Sequence, residues 1–180
     1  MAVTSSDVQR RLTTKSGSAG NSLSSTPGGS LGKYVATTVL TNASLHNLFD
    51  LVTGEENQAS DIEYRCLAFL NNHATDSMTN VKAFIVSQGA DGVDFEIGPD
   101  PASAAPKGQS GAQFNEIADE DTAPSSVTFS APATYAAGII VGGGTIPAGS
   151  VAAIWIKRSA QNNASKAGDT VKIRLQWDSV

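Results

Sequence analysis

The chain of 180 residues is poor in most of the side chains that carry chemistry. It has one cysteine, so an intramolecular disulfide is excluded and folding in a reducing compartment is allowed. Its two histidines and single cysteine fall short of a zinc ligand set, and neither His46 nor His73 neighbours a nucleophile signature such as GxSxG. Aromatic residues are 6% and charged residues 16%, so exposed aromatic platforms for sugar rings are not in evidence, nor is a placed pair of carboxylates. No window approaches the roughly 20 apolar residues of a membrane span, and residues 1–20 hold no apolar run of the secretory type. The net charge of −5 makes nucleic acid an unfavourable partner. These shortages lead to an expectation of no catalytic residues, no metal, no cofactor and no membrane or nucleic-acid partner.

What is present is small and turn-rich: Ala, Ser, Thr and Asn together with 17 Gly and 7 Pro, the mixture of short strands joined by many turns. The organising stretch is residues 61–88. Ile62, Tyr64, Cys66, Ala68 and Leu70 alternate with Glu63, Arg65, Leu67 and Phe69, which predicts a strand that starts half-exposed and ends buried on both faces. A polar turn over Asn71–Asn80 then leads to Val81, Ala83 and Ile85 on one face of a second strand. The pair reads as a hairpin or as successive strands of a sandwich.

Further strands are predicted at Lys33–Leu40, Val93–Ile97, Phe114–Ala118, Val127–Phe129 and Ser150–Ala160. The clearest is the last, with Val171, Ile173, Leu175 and Trp177 inward and Lys172, Arg174 and Gln176 outward. Ile62, Tyr64 and Ile85 are expected in the same core. Leu45–Val52 fits both helical and strand spacing, and any helix is expected near it. Gly142–Gly144 reads as a turn, since no GKS or GKT follows it. Asp119–Asp121 reads as a solvated acidic turn, lacking calcium-loop spacing. The triplets Asn42-Ala43-Ser44 and Asn163-Ala164-Ser165 carry no weight without a secretory signal. The expected fold is an all-β antiparallel β-sandwich, Ig-like or jelly-roll-like, over residues 31–180.

Residues 1–30 are different. Sixteen of them are Ser, Thr or Gly, and the large apolar residues stand alone. Arg10, Arg11 and Lys15 against Asp7 give a net +2, leaving −7 for residues 31–180. Such a segment has little apolar surface with which to offset its ordering entropy. It is expected to be an extended arm that orders on a partner, with Arg10, Arg11 and Lys15 as partner-binding cations.

Some stretches have a familiar look. NNHATDSMTNVKAFI (71–85), IPAGSVAAIWIKRSA (146–160) and DTVKIRLQW (169–177) resemble Ig-like β-sandwich modules. IADEDTAPSSVTFSAP (117–132), with the Ser/Thr/Gly-rich arm, resembles virion structural proteins of tailed bacteriophages, and among them small capsid decoration (cement) proteins. The resemblance implies a non-enzymatic protein that binds and stabilises the major capsid protein shell. It further implies a dimer or trimer on the virion surface, made in the host bacterial cytoplasm, and it brings no catalytic residues. A tail, baseplate or fibre component and a carbohydrate- or cell-surface-binding module are the alternative readings.

Overall fold

The computed structural model describes residues 2–20, 23–89, 92–109, 113–163 and 170–179. Its strands are β1 (Val8–Thr14), β2 (Tyr34–Val39), β3 (Ile62–Asn71), β4 (Met78–Gln88), β5 (Val93–Pro99), β6 (Ala105–Pro106), β7 (Ile139–Ile140), β8 (Thr145–Ile146), β9 (Ser150–Ala160) and β10 (Val171–Ser179). They form two antiparallel sheets of a β-sandwich. The larger runs β2-β1-β3-β9-β5, with β6 also pairing with β9; the smaller runs β10-β4-β7, with β8 also pairing with β4. The strands β3 and β4 therefore belong to different sheets. The turn between them is a crossover, fixed by Asn71 Nδ2 donating to the carbonyls of Asp76 (2.9 Å) and Ile146 (3.0 Å). His73 Nδ1 accepts from the amide of Asp76 (2.9 Å), so this histidine is a turn residue.

The larger sheet is covered on both sides. Period-two alternation sends Leu67, Phe69, Phe95, Ile154 and Ile156 toward the smaller sheet, where they meet Val81, Ala83, Ile85 and Leu175. It sends Tyr64, Cys66, Ala68, Ala153 and Trp155 to the other side, where Phe114, Ile117, Val127 and Phe129 cover them. These last four belong to a long layer of irregular chain, residues 113–138. The strand expected at Phe114–Ala118 is a single bridge, Glu116 to Gly32, and Val127–Phe129 forms none, the nearest being Ser130 to Ile97. The acidic turn, Pro124 and Pro132 interrupt any longer ladder there. Asp100 is buried in this layer and accepts from Trp155 Nε1 (2.8 Å) and from the amides of Asn115 (3.0 Å) and Ala102 (3.0 Å). Burial pushes its carboxyl above the usual range despite the three donors.

Three further expectations are corrected. Residues 1–30 are not an arm outside the domain, because β1 lies inside the larger sheet, with Val8 to Leu12 paired to Asn71 to Leu67 of β3. Composition misleads here because buried hydroxyls replace apolar bulk. Ser30 Oγ accepts from the Thr13 amide (2.9 Å) and donates to the Cys66 carbonyl (2.6 Å), while Thr13 Oγ1 accepts from the Gly32 amide (2.8 Å). Satisfied in this way, small polar residues are buried with their desolvation cost offset by hydrogen bonds. Removing residues 1–30 would open the sheet rather than release a tail.

Second, the helix is α1 (Gly54–Ala59), following Leu45–Val52 rather than within it. Thr53 and Glu56 form a capping box, with Thr53 Oγ1 accepting from the Glu56 amide (3.2 Å) and Glu56 Oε2 from the Thr53 amide (2.6 Å). Third, Ile62 is 38% exposed at the start of β3, whereas Tyr64 and Ile85 are buried as expected. The sequence also marks turns at Asp91-Gly92 and Gln161–Gly168, of which Asp91 and residues 164–168 lie outside the described residues.

In β10 the expected register holds. Lys172, Arg174 and Gln176 are exposed, Leu175 is buried, and Val171, Ile173 and Trp177 are half-buried against the core. Leu175→Ala should cost on the order of 2–4 kcal/mol. Ile173→Ala should cost about half as much, because its side chain is only partly covered, and Lys172→Ala under about 0.5 kcal/mol. Urea melts that rank the three differently would contradict this register.

Candidate functional site: a cleft between the sheets

The half-burial of Val171 and Ile173 has a cause. Near this end of the sandwich the sheets do not close on one another, and a cleft of about 750 Å3 remains. One wall is Leu67, Phe69, Phe95 and Ile156 of the larger sheet, the other Val171, Ile173 and Leu175 of β10, and residues 42–54 form the roof.

The roof contains little regular structure and is held by one anchor. The Phe49 ring sits beneath the guanidinium groups of Arg65 (5.3 Å) and Arg158 (4.8 Å), and meets Phe95 edge-on at 5.9 Å. Cation–π contacts of this kind gain strength when desolvated. Arg158 Nη1 also donates to the Asp50 carbonyl (2.5 Å), and Nη2 to Asp50 Oδ1 (3.2 Å). Ala43 and His46 adopt left-handed backbone conformations between the anchor and β2. Leu45 and Leu51 are left 79% and 67% exposed.

Under the anchor lies an ionic cluster. Glu63 and Arg158 are direct cross-strand partners in the β3–β9 ladder. Arg158 Nε donates to Glu63 Oε2 at 2.6 Å, and its Nη2 shares the same oxygen. Arg65 is 0% exposed and is neutralised by Glu120, whose carboxylate it contacts through Nη2, while Nη1 donates to the Tyr64 carbonyl (3.2 Å). Its Nε is buried with no partner among the described residues. Glu120, read from the sequence as part of a solvated turn, is thus the counterion of a buried arginine. Burial raises the pKa of Glu63 above the usual glutamate range, against the opposing pull of Arg158 and Arg65.

The three cations singled out in the sequence are not brought together. Arg11 donates to Gln9 Oε1 from Nε (2.9 Å) and Nη2 (2.6 Å), and to the Ala36 carbonyl from Nη1 (3.3 Å). Lys15 Nζ donates to the carbonyls of Ile117 (3.2 Å) and Ala118 (2.9 Å), tying β1 to the irregular layer. Arg10 lines the cleft, opposite Phe69. Glu63, Arg65, Phe49 and Arg158 were missed as a group. Their signal was present as charges inside strands otherwise apolar on both faces, but the partners are 95 residues apart and only the ladder register joins them.

The cleft is suited to binding: it offers apolar walls, fixed charges and a roof held at one point. Cys66 lies on the other face of the sheet, fully buried, and burial pushes its thiol well above its ordinary value. Trp155 is buried and Trp177 is half-buried with its Nε1 donating to the Val3 carbonyl (3.3 Å), so both tryptophans are engaged within the chain. Among the described residues no group of three His, Cys, Asp or Glu is gathered as a metal site. Comparison with known proteins returns no matching family model, curated relative or solved structure.

Proposed function

We propose that this chain is a non-enzymatic virion protein of a tailed bacteriophage, a capsid decoration module that binds and reinforces the shell as an oligomer. The sequence stretches set out above carry the phage resemblance. The observation that carries attachment is the exposure of Val39 (51%), Leu45 (79%) and Leu51 (67%) within one short segment, from the end of the edge strand β2 through the roof. Large apolar side chains that stay in water beside a sheet edge favour a protein contact. Attachment passes to this segment from residues 1–30, since Arg11 and Lys15 spend their hydrogen bonds inside the chain.

The test is co-sedimentation with purified phage heads. Leu45→Asp with Leu51→Asp should lower shell binding by at least about tenfold while leaving the melting temperature within about 2 °C, because neither side chain contributes to the core. Unchanged shell binding by the double variant would contradict attachment through this segment. Recovery of the protein with tails rather than heads would replace the decoration reading by the tail or fibre one.

A further inference from the structure

We infer that the cleft between the sheets is a binding site for a single-chain amphiphilic anion, an apolar stem ending in one carboxylate or phosphate, with Arg10 as the partner of the headgroup. The inference does not rest on shell attachment, and either can fail without the other.

Packing comes first. Protein interiors are packed to the density of organic crystals, whereas here a cleft of about 750 Å3, open toward the roof, separates the two sheets. Small-molecule sites commonly enclose roughly 300–1,000 Å3 behind mostly apolar walls with few polar groups. The walls here are Leu67, Phe69, Phe95 and Ile156 facing Ile173 and Leu175. On β4, in the same sheet as β10, Val81 and Ala83 are completely buried, whereas Val171 and Ile173 of β10 stay half-open. The unfilled volume is thus local to the cleft, and its chemistry asks for an apolar stem.

Charge then selects the headgroup. Alternation along β1 places Arg10 on the same face as Val8 and Leu12, both of the inter-sheet core. Arg10 is half-buried, stands opposite Phe69 and lines the cleft. Its guanidinium has no ion pair and no hydrogen bond among the described residues. Of the other cations lining the cleft, Arg158 is matched by Glu63, and Lys172 and Arg174 are exposed on the outward side of β10, so Arg10 is the unmatched cation that is half-buried. A half-buried guanidinium beside an apolar wall gains most from a desolvated anion that takes two of its donors. Asp50, the acid on the cleft rim, is already bonded to Arg158. The missing anion therefore comes from outside the chain, and a cationic or uncharged headgroup does not supply it.

The experiment titrates the full-length protein calorimetrically with dodecanoate, dodecyl phosphate, dodecyltrimethylammonium and dodecanol, each below its micelle concentration. One anion per chain should bind, at least about tenfold more tightly than either the cation or the alcohol. Tighter binding of dodecanoate would mark a carboxylate as the headgroup, and of dodecyl phosphate a phosphate. Arg10→Gln should lower the affinity for the anions by about tenfold with the fold intact by circular dichroism. Ile173→Trp, which fills the cleft, should abolish binding of all four. Equal binding of cation and anion by the wild-type protein, unchanged anion affinity in Arg10→Gln, or no binding of either anion would each overturn the inference.

Discussion

Gly32→Ala should destabilise the protein by about 3–6 kcal/mol and lower its melting temperature by roughly 10–20 °C, on the scale of a chain this long. Gly32 has φ +90°, which an L side chain adopts only under strain, and an added Cβ would lie 1.7 Å from the Asn115 carbonyl oxygen and 3.1 Å from Trp155 Cζ2. Neither neighbour is free to retreat. The Asn115 amide donates to Asp100 Oδ2 (3.0 Å), and the same oxygen holds Trp155 Nε1 (2.8 Å). The Asn115 carbonyl in turn accepts from the Lys33 amide (3.0 Å), and the Ile117 amide donates to the Leu31 carbonyl (3.1 Å). The substitution thus presses on the point where the irregular layer is buttoned to the sheet. Release of that layer uncovers Trp155, so its fluorescence should shift to the red in the folded baseline. Gly28→Ala is the control: nothing lies within 4 Å of its added Cβ, and the change should be neutral or slightly stabilising. If Gly32→Ala melts within about 2 °C of the wild type, the turn at Gly32 does not hold the layer.

That layer also marks where the sequence stops being legible. Strands β5, β9 and β10 announce themselves because their apolar residues alternate or run without a break, as in Val93, Phe95 and Ile97 or in Val151 to Ile156. The antiparallel sandwich follows from them. Strand β1 does not announce itself. Only Val8 and Leu12 of its residues are apolar, and Thr13 and Thr14 are buried because the fold supplies partners that no local pattern reveals. For the same reason Phe114, Ile117, Val127 and Phe129 look like strand fragments in sequence yet serve as the cover of a sheet. The helix is legible in TGEE, a capping box, but the apolar spacing of Leu45, Leu48, Phe49 and Val52 points more than two turns too early. Of the cleft, Arg10 was singled out for its charge, though as part of an arm. The cluster beneath the roof was not legible, because the partnership of Glu63 with Arg158 is a product of register.

Arg158→Met should cost about 3–5 kcal/mol near neutral pH, the range for removing one partner of a buried ion pair. The penalty comes from the carboxylate left behind. Glu63 and Arg158 are both about 6% exposed at the side chain, so water does little to replace the lost charge. The cost should depend on pH in a definite sense. Burial already places the folded-state pKa of Glu63 above its ordinary value of 4.5, so its favourable contribution is complete below that value and is lost as pH rises through the folded pKa. Removing Arg158 takes away an attraction that holds the pKa down, so in the variant the folded pKa rises further and the loss extends to higher pH. Near neutral pH the variant therefore bears a buried charge that has lost its hydrogen-bonded partner and keeps only Arg65, 3.8 Å away. Toward about pH 4 Glu63 takes up a proton in the folded variant, and only the lost packing over Phe49 and the bonds to Asp50 should remain of the penalty. Adding Glu63→Gln to Arg158→Met removes the charge by another route, and should recover roughly half of the loss near neutral pH. Urea unfolding of the three proteins at both pH values makes the comparison, and a penalty that is the same at each would show that Glu63 is not the source. Hydrogen exchange should also quicken in residues 42–50 of Arg158→Met, since Arg158 is the link through which the sheet holds both Phe49 and Asp50 of the roof.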